Sequence, residues 1–95
     1  LDENKNPYSK LQIVISETLD YTNAFKDIFD KYLLVVELKK VKTIDFGSLF
    51  ELTYIIKFKE ANTQKLFIDD LRSRNSNLNI TLVNEYAELL FINNQ

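Results

Sequence analysis

The chain has 95 residues, enough for one domain, and its 45% apolar content beside one glycine and one proline implies a compact fold with short connections. A formal net charge of −2 supplies no large positive field for a phosphate backbone, so nucleic acid is disfavoured as a partner. Histidine and cysteine are absent, which removes thiolate chemistry, disulfides, soft-metal sites and the usual neutral-pH proton shuttle; no catalytic residues, metal site or cofactor are expected.

Residues 1–9 are polar, rich in asparagine and lysine, and include the only proline, Pro7; they read as a lead-in to a domain spanning residues 10–84. Methionine is missing even from position 1, and Leu1 is too large to follow a removed initiator, so the chain is expected to be cut from a longer protein. It contains neither an apolar run of about 18 residues nor the apolar region of a signal peptide.

Leu11, Ile13 and Ile15 alternate with Gln12, Val14 and Ser16, which predicts a first strand with one apolar face. From Asp20 the period changes. Tyr21, Phe25, Ile28, Phe29 and Tyr32 fall on one helical face, opposite Asn23, Lys26, Asp27, Asp30 and Lys31, and Asp20 or Thr22 can cap the start. A second strand begins near Leu33 or Leu34 and alternates through Leu34, Val36 and Leu38. Continued at that parity it would send Lys40 and Lys42 into the core, so a β-bulge is expected near Lys39 and Lys40.

Asp45, Phe46, Gly47 and Ser48 stand where two strands must reverse, and the single glycine fits a turn that needs positive φ. The third strand is the clearest: Phe50, Leu52, Tyr54, Ile56 and Phe58 on one face, Glu51, Thr53, Ile55, Lys57 and Lys59 on the other. Asn62 or Thr63 then caps a second helix with Phe67, Ile68 and Leu71 as its buried stripe, ending at the turn Asn75, Ser76, Asn77. Leu78, Ile80 and Leu82 make a fourth strand. Residues 85–95 form an apolar tail, Leu89 to Ile92 at its centre, readable as a short strand or a helix.

The order strand, helix, strand, strand, helix, strand predicts an α+β domain of the ferredoxin-like βαββαβ split type, ACT-like, with a four-stranded antiparallel sheet and both helices on one face. The bare face would then carry Val14, Val35, Thr53, Ile55, Thr81 and Val83. Either this is an interface for a second copy, formed by Val14, Thr53, Ile55, Thr81 and Val83, or these β-branched residues simply suit strands. RNA-recognition modules of the same topology stack bases on bare-face aromatics; here Phe50, Tyr54 and Phe58 lie on the opposite parity, which disfavours RNA. Arg72, Arg74, Asn75 and Asn77 are a candidate anion or small-molecule site, against the plainer reading of cations and a left-handed cap at a helix end. The pairs Asp27 with Asp30 and Asp69 with Asp70 fall on solvent-facing helix surface.

Particular strings resemble a known family. They are Leu19-Asp20-Tyr21 with Phe25, Asp27-Ile28-Phe29 and Lys31-Tyr32; Val41-Lys42-Thr43; Gly47 to Tyr54; Phe67 to Arg72; Arg74-Asn75; and Asn77-Leu78. Together they resemble, over residues 10–83, the C-terminal part of a bacterial multi-pass membrane-protein family, the domain-of-unknown-function family 4956 (DUF4956). This chain has Ser73 where that family commonly has cysteine and Ser76 where it commonly has glycine. The resemblance implies a transmembrane region preceding a domain on the cytoplasmic side, and no catalytic residues. The resulting expectation is a noncatalytic accessory or regulatory domain of a membrane protein, working by self-association or protein contact, with an ACT-like small-molecule sensor as the alternative.

Overall fold

A computed structural model describes residues 6–84 of the chain. Strand β1 (Tyr8–Ser16) leads into two short helices, α1 (Tyr21–Ala24) and α2 (Lys26–Tyr32); β2 (Leu33–Ile44) and β3 (Leu49–Phe58) form a hairpin; α3 (Gln64–Arg72) and β4 (Ile80–Val83) complete the order. The sheet is antiparallel with strand order β2-β3-β1-β4, and the α+β fold is compatible with a ferredoxin-like architecture. β1 begins at Tyr8, two residues inside the expected lead-in, and β4 begins at Ile80 rather than Leu78. The expected tail lies outside the described residues.

One side of the sheet makes the core. Opposed residues of an antiparallel ladder share a face. Leu11 with Tyr54, Ile13 with Leu52 and Ile15 with Phe50 therefore put the odd positions of β1 and the even positions of β3 together. Ile28, Phe29 and Tyr32 of α2 and Phe67 and Leu71 of α3 are buried in the same cluster, so both helices cover that face. Phe67 is its hub, with its ring 5.2 Å from Phe58, 5.6 Å from Tyr32 and 6.2 Å from Phe29. Burying one such large side chain contributes roughly 1.5–3 kcal/mol.

The first helix departs from the unbroken one that the period suggests. The backbone leaves the helical region at Phe25 (φ −112°, ψ 2°), whose side chain is completely buried. At the observed N-caps neither Asp20 nor Thr63 accepts a hydrogen bond from a helix N–H through its side chain. Asp20 Oδ2 accepts from Asn23 Nδ2 at 2.8 Å, and Thr63 Oγ1 donates to the Glu60 carbonyl at 2.8 Å.

The bulge is present. The ladder shifts between Leu38 and Lys40, so Val41 pairs with Leu52 on the helix side and Lys40 with Thr53 on the bare side. A second irregularity lies between Leu33 and Val35. In the hairpin turn positive φ is shared by Asp45 (51°), Phe46 (55°) and Gly47 (87°), and the Ser48 hydroxyl donates to Asp45 Oδ2 at 2.8 Å.

Candidate partner interface along strand β2

The bare face corrects the expected interface. Val14, Thr53, Ile55, Thr81 and Val83 do point away from the helices, by register. Exposure fails for three of them: Val14, Thr53 and Ile55 are buried, with Ile55 only 4% exposed. In register Ile55 lies between Lys10 and Glu37, and Thr53 between Gln12 and Lys40, with Gln12 Nε2 donating to Thr53 Oγ1 at 3.4 Å. Long side chains flank the β-branched ones, and their stems can lie along apolar neighbours. Lys57 is buried in the same row, its ammonium 5.2 Å from the Tyr8 ring centroid. Only Thr81 and Val83, on the short edge strand, remain open.

The uncovered apolar surface lies on the helix side of β2. Val36, Leu38 and Val41 are 41%, 43% and 44% exposed although they pair with the buried Ile56, Tyr54 and Leu52. None of the three belongs to the core cluster. The helical layer is too small to reach them: α1 and α2 span four and seven residues, against twelve for β2. The gap is a groove of about 260 Å³ lined by Tyr21, Thr22, Phe29, Val36, Leu38 and Tyr54. Burial pushes the Tyr54 hydroxyl up to about 12, with Tyr21 acting in the same sense.

β2 is also an edge. It ends the strand order, and among the described residues no backbone hydrogen bond reaches its outer side. On its bare-face side it carries Glu37, Lys40 and Lys42, opposite Ile55, Thr53 and Glu51. Lys39, the inserted residue of the bulge, bonds Glu37 Oε2 at 2.8 Å and so joins that side. At the hairpin tip beyond β2 the Phe46 side chain is fully exposed.

The anticipated small-molecule residues separate. Arg74 and Asn75 meet Ser16, Thr18, Leu19 and Ser76 in a recess of about 200 Å³, whereas Arg72 and Asn77 are exposed and do not line it. Arg74 is engaged elsewhere: Nη1 donates to the Ala24 carbonyl at 2.7 Å and to Asp27 Oδ1 at 2.8 Å. Asn75 is 2% exposed, and its Nδ2 donates to the carbonyls of Val14 (3.0 Å) and Leu78 (3.1 Å). Two carbonyl acceptors fix the orientation of that amide, leaving Asn75 Oδ1 buried without a partner among the described residues. The left-handed positions of this turn are Ser76 (φ 61°) and Asn77 (φ 57°).

Among the described residues no group of three or more acidic, histidine or cysteine side chains is placed to hold a metal ion. None of their helices is long and apolar enough to cross a membrane. Comparison of the chain with family models, curated proteins and solved structures finds no match.

The exposed flank of β2 was not among the residues that the sequence singled out. Its signal was present, in an alternating Leu34, Val36, Leu38 run beside a lysine cluster, but strand parity assigns these residues to the helix side without saying whether a helix covers them.

Proposed function

We propose that this domain is a noncatalytic protein-interaction module that binds a partner along the helix side of β2. The observation that carries the reading is the half-exposed row Val36, Leu38 and Val41 beside the Tyr21, Phe29 and Tyr54 groove, on a strand whose outer edge is open among the described residues. An apolar row of this kind next to free backbone groups is what an interacting segment uses. The expected self-association through the centre of the bare face loses its basis with the burial of Val14, Thr53 and Ile55.

Peptides selected for binding to the domain test this directly, with the variant carrying Val36→Ser and Leu38→Ser as the counter-target. Binders should perturb the amide resonances of Val36, Leu38 and Val41 and lose most of their affinity for the variant. Binders indifferent to both substitutions would overturn the assignment.

The finer fold reading is an ACT-like split sandwich, supported by the strand order with both helices on one face. On that reading a small-molecule sensor is the second function, and the recess between Ser16, Thr18 and Arg74 favours it. A thermal-shift screen of small anions and amino acids tests it, because a ligand of the native state raises the melting temperature. The attachment of this domain to the cytoplasmic side of a DUF4956-type membrane protein is proposed on the strings Gly47 to Tyr54, Phe67 to Arg72, Arg74-Asn75 and Asn77-Leu78. The sequence of the full gene would decide it.

A further inference from the structure

Resting on the reading of β2 as a protein-binding flank, we propose that its occupant is an extended segment that adds as a fifth strand and alternates apolar with acidic residues. Strand addition uses the open backbone of the edge for affinity and alternate side chains for specificity. On β2 the two sides of that edge differ in chemistry. Toward the helices an added strand meets Val36, Leu38 and Val41 and the groove between Tyr21 and Tyr54. Toward the bare face it meets Lys39, Lys40 and Lys42 of β2 against Glu37 of the same strand and Glu51 of β3 across from Lys42, a local excess of one positive charge on a chain of net charge −2. Among the described residues Lys40 and Lys42 make no ion pair, and the carboxylate nearest Lys39 is that same Glu37. Successive residues of an added strand point to opposite faces, so one face of the incoming segment is apolar and the other acidic.

The same arrangement argues against a second copy of the chain. Antiparallel pairing of β2 with another β2, with faces matched across the bulge, sets Leu38 opposite Val41 and therefore Lys39 of one copy opposite Lys40 of the other, while Glu37 falls opposite Lys42. Like charges directly opposed in a ladder are destabilising, and lysines and bulges are the usual guards of an exposed edge. Lys39, Lys40 and the bulge thus work against self-pairing while leaving an oppositely charged strand welcome, which is specificity by repulsion.

The test uses the full chain and two synthetic eight-residue peptides: one alternating valine with glutamate, the other alternating valine with lysine. Titration is followed by fluorescence anisotropy and by amide exchange of β2. The acidic peptide should bind at least about tenfold more tightly, lose affinity with added salt, and protect amides of β2. In the double variant Lys40→Glu, Lys42→Glu the preference should reverse. Equal binding of both peptides, lost in the Val36→Ser, Leu38→Ser variant, would overturn the acidic occupant but leave the β2 flank as the binding surface. Binding unaffected by that variant, or absent for both peptides, would overturn the proposed strand. Sedimentation of the unliganded chain adds a further arm. A dimer abolished by Lys40→Glu would name the second copy as occupant instead.

Discussion

Arg74 reaches from the turn after α3 to Asp27 in α2, where its Nη1 and Nη2 donate to the two carboxylate oxygens at 2.8 and 2.9 Å. The pair ties the two helices together at the end of the domain where β1 leaves the sheet. Its bidentate form gives it geometry that a lysine in its place would not reproduce.

The hydrogen bonds from Arg74 hold the Asp27 carboxyl down from 3.8 to about 2. A depressed carboxyl favours the folded state above the unfolded value and loses that advantage as pH falls. The contribution should therefore be intact above about pH 4 and gone below about pH 2. A carboxyl titration by NMR should show Asp27 near 2, and Arg74→Gln should return it to the ordinary range. Both groups are largely open to water, so the effect on stability should be small.

Asn75→Ala should cost more. It removes the donor that satisfies the carbonyls of Val14 and Leu78 inside the fold. The expected loss is about 1–3 kcal/mol in urea denaturation, and Asn75→Asp, which removes the donor and adds a buried charge, should lose more.

Phe46 holds a left-handed backbone, at φ 55° and ψ 32°, with its ring fully exposed. That conformation costs an ordinary L residue about 1–2 kcal/mol, and no packing offsets it here. Phe46→Asn should therefore raise stability by about 1 kcal/mol in chemical denaturation, because asparagine tolerates the region. Gly47→Ala should do the reverse: a Cβ there meets no atom within 4 Å, so the loss would be conformational alone.

Phe67→Ala should bring the domain close to unfolding. The ring is fully buried among Phe29, Tyr32 and Phe58. Such a truncation costs about 3–5 kcal/mol, against a total of about 5–15 for a typical domain. A flattened thermal transition in circular dichroism would confirm it; an unchanged midpoint would contradict it.

Much of this fold is readable in the sequence. The alternation of Phe50 to Phe58 specified the central strand, and two lysines at the wrong parity located the bulge after Leu38. Both are local facts, because a strand's period of two fixes which residues share a face. Legibility of the surface was poorer. Arg74 and Asn75 stood out as ligand candidates, yet one is bound to Asp27 and the other clamps backbone carbonyls from residues 61 and 3 positions away. The positive φ expected of Gly47 extends back over Asp45, a residue type that tolerates the left-handed region, and over Phe46, which does not favour it.

By itself, then, the sequence determined the order of elements, the inward parity of each strand and the site of the bulge, because those follow from side-chain period along the chain. Only the tertiary structure decided which surfaces are open. It flanked Ile55 with Lys10 and Glu37, and it left Val36, Leu38 and Val41 beyond the reach of two short helices. Exposure depends on what neighbouring strands and layers extend over, and that is set by contacts between residues far apart in the chain.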